Sequence, residues 1–271
     1  MIQPENELAL AVLIDADNVP YAHVKEMLEE ISTHGNPTIK RIYGDWTKPT
    51  LSGWKNVLLE NAITPIQQYS YTSGKNSSDS ALIIDAMDIL YADKVKGFCI
   101  VSSDSDFTRL ATRLREAGMK VIGIGEKKTP SPFIKACDKF VYIEILKASQ
   151  KEAQGSASNA NKPEAQNYIN KVDNTLVKLL TDSITDLADD NGWAFLGELG
   201  NLLLKKSPDF DPRNYGFPKM LPLIRSTNLF EIDERDTGRS HIKHIYVRKK
   251  RDKVLAKPKA AKPKQPRRHS S

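Results

Sequence analysis

Three short acidic segments carry the chemistry that can be read from this sequence. Asp15 and Asp17 stand in LeuIleAspAlaAspAsnVal (13–19), Asp79 closes GlyLysAsnSerSerAsp (74–79), and Asp104 and Asp106 stand in ValSerSerAspSerAspPhe (101–107). Carboxylates gathered in one place repel one another, so each needs a cation or a proton. Hard divalent cations answer that need with oxygen ligands, and Mg2+ typically combines one or two carboxylates with waters and a substrate phosphate. Such an ion can activate a water and stabilise the leaving oxygen of a phosphodiester. Asp15, Asp104 and Asp79 are the expected ligands of Mg2+ or Mn2+, directly or through water. Asp106 would place the attacking water or a second ion, and Asn18 would orient a ligand or a phosphate. Each has a plainer alternative. An Asp that follows a strand often caps a helix, and Asp79 and Asp106 can each cap the helix they precede. Asp85 lies six residues past Asp79, roughly 120° further around a helix of 3.6 residues per turn; it supports the site or is solvated. Lys75 meets a phosphate or is simply solvated.

The positions of these acids depend on the elements around them. Leu8–Ile14 and Gly97–Val101 are continuous apolar runs, suited to strands buried on both faces. Further strands are expected at Ile39–Tyr43, Ile63–Tyr69, Met119–Ile124 and Lys139–Ile143. Between them lie helices capped by Asn18 and ending near Gly35, then at Trp54–Asn61, Ser80–Tyr91 and Phe107–Ala117. Alternation of this kind argues a doubly wound, mostly parallel sheet. In such a sheet ligands bind beyond the carboxyl ends of the strands, where the strand order reverses. With the order 3-2-1-4-5, strands one and four are neighbours, and Asp15 and Asp104 face one crevice.

The rest of the chain reads differently. Residues 147–167 have few apolar side chains and read as a flexible linker. Asp173–Asp190 repeats Leu176, Leu179, Leu180, Ile184 and Leu187 on one helical face. Helices at Phe195–Lys206 and Pro212–Ser226 follow, the latter irregular at Gly216, Pro218 and Pro222. Leu229–Asp233 and His241–Arg248 flank a polar turn and read as a hairpin. Three helices and a hairpin make a winged-helix plan. From Arg248 onward there are eleven Lys or Arg against one acid, Asp252, a net +10. The whole chain is +6, which leaves −4 for residues 1–247. The basic surplus thus belongs to a tail, 249–271, expected to be disordered. That tail binds phosphates without sequence preference or only aids solubility. Cys99 and Cys137 have no metal-binding spacing. With no basic segment leading into an apolar core at the N-terminus, they suggest a reducing, cytoplasmic setting. No apolar stretch reaches the ~20 residues that span a membrane.

The segments at 13–19, 41–46 (ArgIleTyrGlyAspTrp), 74–88 and 101–107 together resemble the NYN domain, a branch of the PIN-like nucleases. The resemblance covers about residues 7–146, with the segments in the expected order. It implies a Rossmann-like fold of the PIN type and metal-dependent cleavage of RNA. By position it implies an acidic site of Asp15, Asp79, Asp104 and Asp106, supported by Asn18 and Asp85. It also draws attention to Tyr43, Asp45 and Trp46; Trp46 stacks on a base or packs half-buried. Residues 168–248 resemble a LOTUS (OST-HTH) domain through GlyTrpAlaPheLeuGlyGluLeuGly (192–200), ProArgAsnTyrGlyPhe (212–217) and the closing hairpin. That implies RNA or protein binding, with Tyr215, Gly216, Lys219, Arg239 and Lys243 as candidate contacts, unless Tyr215 and Phe217 pack the small core. A homodimer is also implied, because related nucleases often pair. Two other functions compete with a ribonuclease: an RNA-binding adaptor that does not cut, and a phosphatase. AspAlaAsp after a first strand also resembles the haloacid-dehalogenase phosphatases, with Asp15 as nucleophile.

Overall fold

The computed structural model describes residues 7–69, 77–146, 169–236 and 243–250, and only the backbone of Ser77. The expected linker, nearly all of the expected tail, Lys75 and Arg239 lie outside the described residues.

The first apolar run forms β1 (Ala9–Asp15) at the middle of a six-stranded parallel sheet. The other strands are β2 (Asn36–Gly44), β3 (Thr64–Gln67), β4 (Gly97–Val101), β5 (Lys120–Gly125) and β6 (Lys139–Tyr142), in the order β3-β2-β1-β4-β5-β6. Strands one and four are therefore neighbours, as in the doubly wound order 3-2-1-4-5, and Ile14 lies opposite Val101.

Side chains alternate across a strand, so β1 feeds two cores. Leu10, Val12 and Ile14 face α1 (Val24–Ser32) and α2 (Trp54–Glu60) through Met27, Ile31 and Trp54. Ala11 and Leu13 face α3 (Ser77–Tyr91), α4 (Thr108–Glu116) and α5 (Ser131–Ala136) through Leu82, Ala86, Leu110, Leu114 and Phe133. Covering both faces is what permits wholly apolar strands.

A smaller α+β unit follows. It contains α6 (Asn174–Leu187), the two-residue β7 (Ala194–Phe195), α7 (Leu196–Lys206), α8 (Met220–Ser226), β8 (Phe230–Asp236) and β9 (Lys243–Lys249). β7, β9 and β8 form an antiparallel sheet in that order. Asp173 caps α6 by accepting from the Leu176 N–H at 2.9 Å. The apolar face read at 176–187 packs on Leu199, Leu203, Leu223 and Val247. The single helix expected over Pro212–Ser226 is instead a 3-10 turn (Pro212–Tyr215) and α8. Gly216, at φ 84°, separates them. A left-handed residue ends a helical segment, and glycine adopts it without steric cost. Among the described residues no helix is long and apolar enough to cross a membrane.

Candidate active site

The site lies at the carboxyl ends of β1 and β4 and at the start of α3. Asp79, in the first turn of α3, Asp104 and Asp106 each offer a carboxylate oxygen within 4.8 Å of the others. Asp104 has extended backbone and caps the 3-10 turn Ser105–Phe107, accepting from the Asp106 N–H at 2.9 Å. The cap of this turn is therefore Asp104, not Asp106, because the turn begins one residue before Asp106.

Asp15 does not join that set of three. It is 1% exposed, and both of its oxygens are engaged. Oδ2 accepts from Asn18 Nδ2 at 2.6 Å and from Ser102 Oγ at 2.8 Å, and Oδ1 accepts from the Asp17 N–H at 3.1 Å. A carboxylate so enclosed is poorly placed as a phosphatase nucleophile. Asn18 does not cap the following helical segment. That segment begins as a 3-10 turn (Tyr21–His23) behind Pro20, which makes no side-chain cap bond. The Asn18 amide holds Asp15 instead.

The electrostatics match a site built for positive charge. Burial pushes Asp79 up to about 6, and the charges of Asp15, Asp104, Asp106 and Asp17 add to that. Burial also raises Asp15, against the hydrogen bonds from Asn18, Ser102 and the Asp17 N–H. Crowded carboxylates that resist ionisation favour a bound cation. An all-oxygen donor set of this kind suits Mg2+ or Mn2+.

Two serines in the segment 101–107 have roles the sequence reading did not assign. Ser102 bridges the cluster, donating to Asp15 and accepting from the Asp104 N–H at 3.1 Å. Ser103 Oγ accepts from the Glu126 N–H at 2.8 Å and ties the β4 loop to the end of β5. Ser78 donates to Asp17 at 3.4 Å and links α3 to the β1 loop. A small hydroxyl residue just ahead of an acid was the only available signal for these three.

Other expected site residues lie elsewhere. Asp85 is paired with Arg41 and accepts from the Tyr43 hydroxyl. Its place six residues along α3 turns it towards β2, away from the acidic cluster. Tyr43 is wholly buried, so its ring offers no face to RNA. Trp46 is half-buried against the core, and its Nε1 donates to the Ile66 carbonyl at 3.0 Å. Tyr215 packs on Phe210 at 6.2 Å between ring centroids, and Phe217 packs with it in the small core. Lys219 and Lys243 are exposed, with Lys243 Nζ 3.6 Å from Glu234.

Two protein families match the chain. The NYN domain family matches residues 9–144, and the OST-HTH/LOTUS domain family matches residues 167–242. No curated protein matches the chain. A crystal structure of a protein of unknown function from Vibrio parahaemolyticus is 21% identical, with a TM-score of 0.43, over 52% of this chain and 96% of that one. A solution NMR structure of an uncharacterized protein from Nitrosomonas europaea is 36% identical, with a TM-score of 0.29, over 36% of this chain and 93% of that one. At the level of families, the two domains bring a nuclease-type hydrolase together with an RNA-binding unit. The chain belongs to the NYN domain family of PIN-like nucleases and carries an OST-HTH/LOTUS domain behind it.

Proposed function

We propose that this protein is a metal-dependent endoribonuclease that hydrolyses RNA phosphodiester bonds at the Asp79–Asp104–Asp106 cluster. The nuclease unit would occupy residues 1–146. RNA would be held by the LOTUS unit at 168–248 and by the basic tail. The observation that carries this reading is the convergence of three carboxylates within 4.8 Å at the switch point of the sheet.

Asp79, Asp104 and Asp106 would hold Mg2+ or Mn2+. When bound, such an ion supplies an activated water and stabilisation of the leaving oxygen. Asp106 is the exposed member and would be the one that substrate and water reach first. Asp104 is fixed by its own cap bond, and Asp79 by its place in α3. Asp15 acts from behind, as a buried charge that raises the demand for a cation and, through Ser102, sets the loop that carries Asp104. Exposed Lys219 and Lys243 are candidate contacts to the RNA backbone.

The test is cleavage of labelled single-stranded RNA with Mg2+ or Mn2+, with and without EDTA. Asp104→Asn is expected to lower the rate by about 10²- to 10³-fold, the usual cost of losing one group that stabilises the transition state. Cleavage that survives EDTA would refute the metal mechanism. RNA binding without cleavage under every metal condition would favour an adaptor.

A further inference from the structure

β6 is an edge strand of the parallel sheet. Edge strands present unpaired backbone groups that invite other chains, and proteins commonly cover them. Here the cover comes from the LOTUS domain. The Phe140 N–H donates to the Pro208 carbonyl at 2.7 Å. Two residues on, the Tyr142 hydroxyl donates to Asp209 at 2.8 Å.

At the start of β6 the contact becomes ionic. Glu30, near the end of α1, accepts from both arms of the Arg213 guanidinium, at 2.8 Å and 3.0 Å. Arg213 is itself aimed by Asp211, through Nη2 at 2.7 Å and Nε at 3.0 Å. Lys139 Nζ lies 3.7 Å from Glu30, and His34 Nε2 lies 3.3 Å from it. One further bond crosses between the domains: Lys127 Nζ donates to the Ile169 carbonyl at 2.7 Å, and Ile169 packs against both cores of the large sheet. Within the LOTUS domain the Asn170 N–H donates to the Asn214 carbonyl at 2.9 Å, which ties this segment to the turn that carries Arg213.

Burial gives this contact its significance. Glu30 and Asp211 are 9% and 7% exposed. A carboxylate removed from water is costly unless it is paired and hydrogen-bonded. Burial works against the charge of Glu30, but hydrogen bonds from His34 and Arg213 hold it well below the usual carboxylate range. The planar fork of Arg213 fits a carboxylate bidentately, which fixes orientation as well as distance.

We infer that Glu30 is a docking site for Arg213, which seats the LOTUS domain on the β6 edge so that the two domains move as one body. The segment 147–168 then connects two docked domains; it does not leave the second domain to swing freely. The consequence for function is a fixed placement of the RNA-binding unit relative to the acidic cluster. The inference stands on the interface alone and holds whether or not the protein cuts RNA.

The test uses the full chain, labelled with 15N. Backbone relaxation is expected to give one rotational correlation time for both domains, and the Phe140 amide should be protected from hydrogen exchange. Arg213→Ala and Glu30→Gln should each speed Phe140 exchange about tenfold or more, the usual weight of one hydrogen bond to a charged group. The amides of Val12 and Ile100, in the central strands, should keep their protection and so report an intact fold. Two separate correlation times in the wild-type chain would overturn the inference. So would unchanged Phe140 exchange in both variants.

Discussion

Asp79→Asn should stabilise the metal-free protein while removing its activity. The wild-type carboxylate titrates at about 6 in the folded chain, against 3.8 for a free side chain. The folded state therefore binds this proton more tightly than the unfolded state. Well below pH 3.8 both states are protonated and the group contributes nothing. As pH rises through 3.8 towards 6, the unfolded chain ionises first, and the folded state loses relative stability. Above 6 the loss is constant. Taken at face value the shift amounts to about 3 kcal/mol. The cluster opens to water beside exposed Asp106, and solvent screening reduces the figure to about 1 kcal/mol. Asparagine has no charge to lose. In EDTA at pH 8 the variant should melt about 2–4 °C above wild type, and the gap should narrow as pH falls and close near pH 3, where both states hold the proton. Adding Mn2+ should raise the wild-type Tm and leave the variant nearly unmoved, which reverses their order when binding is tight. Thermal melts by circular dichroism at both pH values, with EDTA and with Mn2+, read all three results. A variant less stable than wild type in EDTA at pH 8, or a gap that does not close by pH 3, would refute the electrostatic reasoning.

Three further outcomes are expected. Ser102→Ala removes a donor to buried Asp15 and an acceptor for the Asp104 N–H; urea unfolding should show a loss of about 1–3 kcal/mol, with RNA cleavage reduced as the Asp104 loop loosens. Asp85→Asn should weaken the Arg41 and Tyr43 network and lower stability by a similar ~1–3 kcal/mol; cleavage per folded molecule should stay at the wild-type level, and a loss of catalysis without a loss of stability would return Asp85 to the site. Deleting residues 250–271 removes most of the basic surplus, so RNA affinity should fall and its salt dependence should flatten; an unchanged slope would make the tail a passive appendage.

Legibility in the sequence followed the range of the interactions involved. Gly97–Val101 could be read residue for residue, because a strand covered on both faces must be apolar throughout. The order placing β1 beside β4 is that of the doubly wound fold, and it brings the acids at the two strand ends together. α5, six residues behind Pro130, is too short to show a helical period, and β7 has only two residues. Asp85 was misplaced because an angle on a helical wheel does not say what lies opposite; Arg41 and Tyr43, more than forty residues earlier, claim it. The Glu30–Arg213 pair was invisible for the same reason, since 183 residues separate its partners. Ordinary charged residues acquire a role only when the fold brings them together.

The same geometry explains why Asp15 and Asp104, equivalent in the sequence, are unlike in the structure. Ile14 and Val101 are paired across the two strands. Asp15 is one residue past that pair and Asp104 is three. An extended chain advances about 3.3 Å per residue, so Asp104 lies some two residues further out. At the depth of Asp15 the neighbour is Ser102, which donates to it. At the depth of Asp104 the chain has left the sheet and can close on Asp79 and Asp106. Two serines inserted before the second acid thus convert a repeated Asp-x-Asp pattern into a layered site, with an enclosed charge behind and a set of three carboxylates in front. The field of the enclosed charge helps to raise Asp79. Removing Asp15 should therefore weaken cation binding without removing a ligand, whereas removing any of the three in front removes a ligand as well.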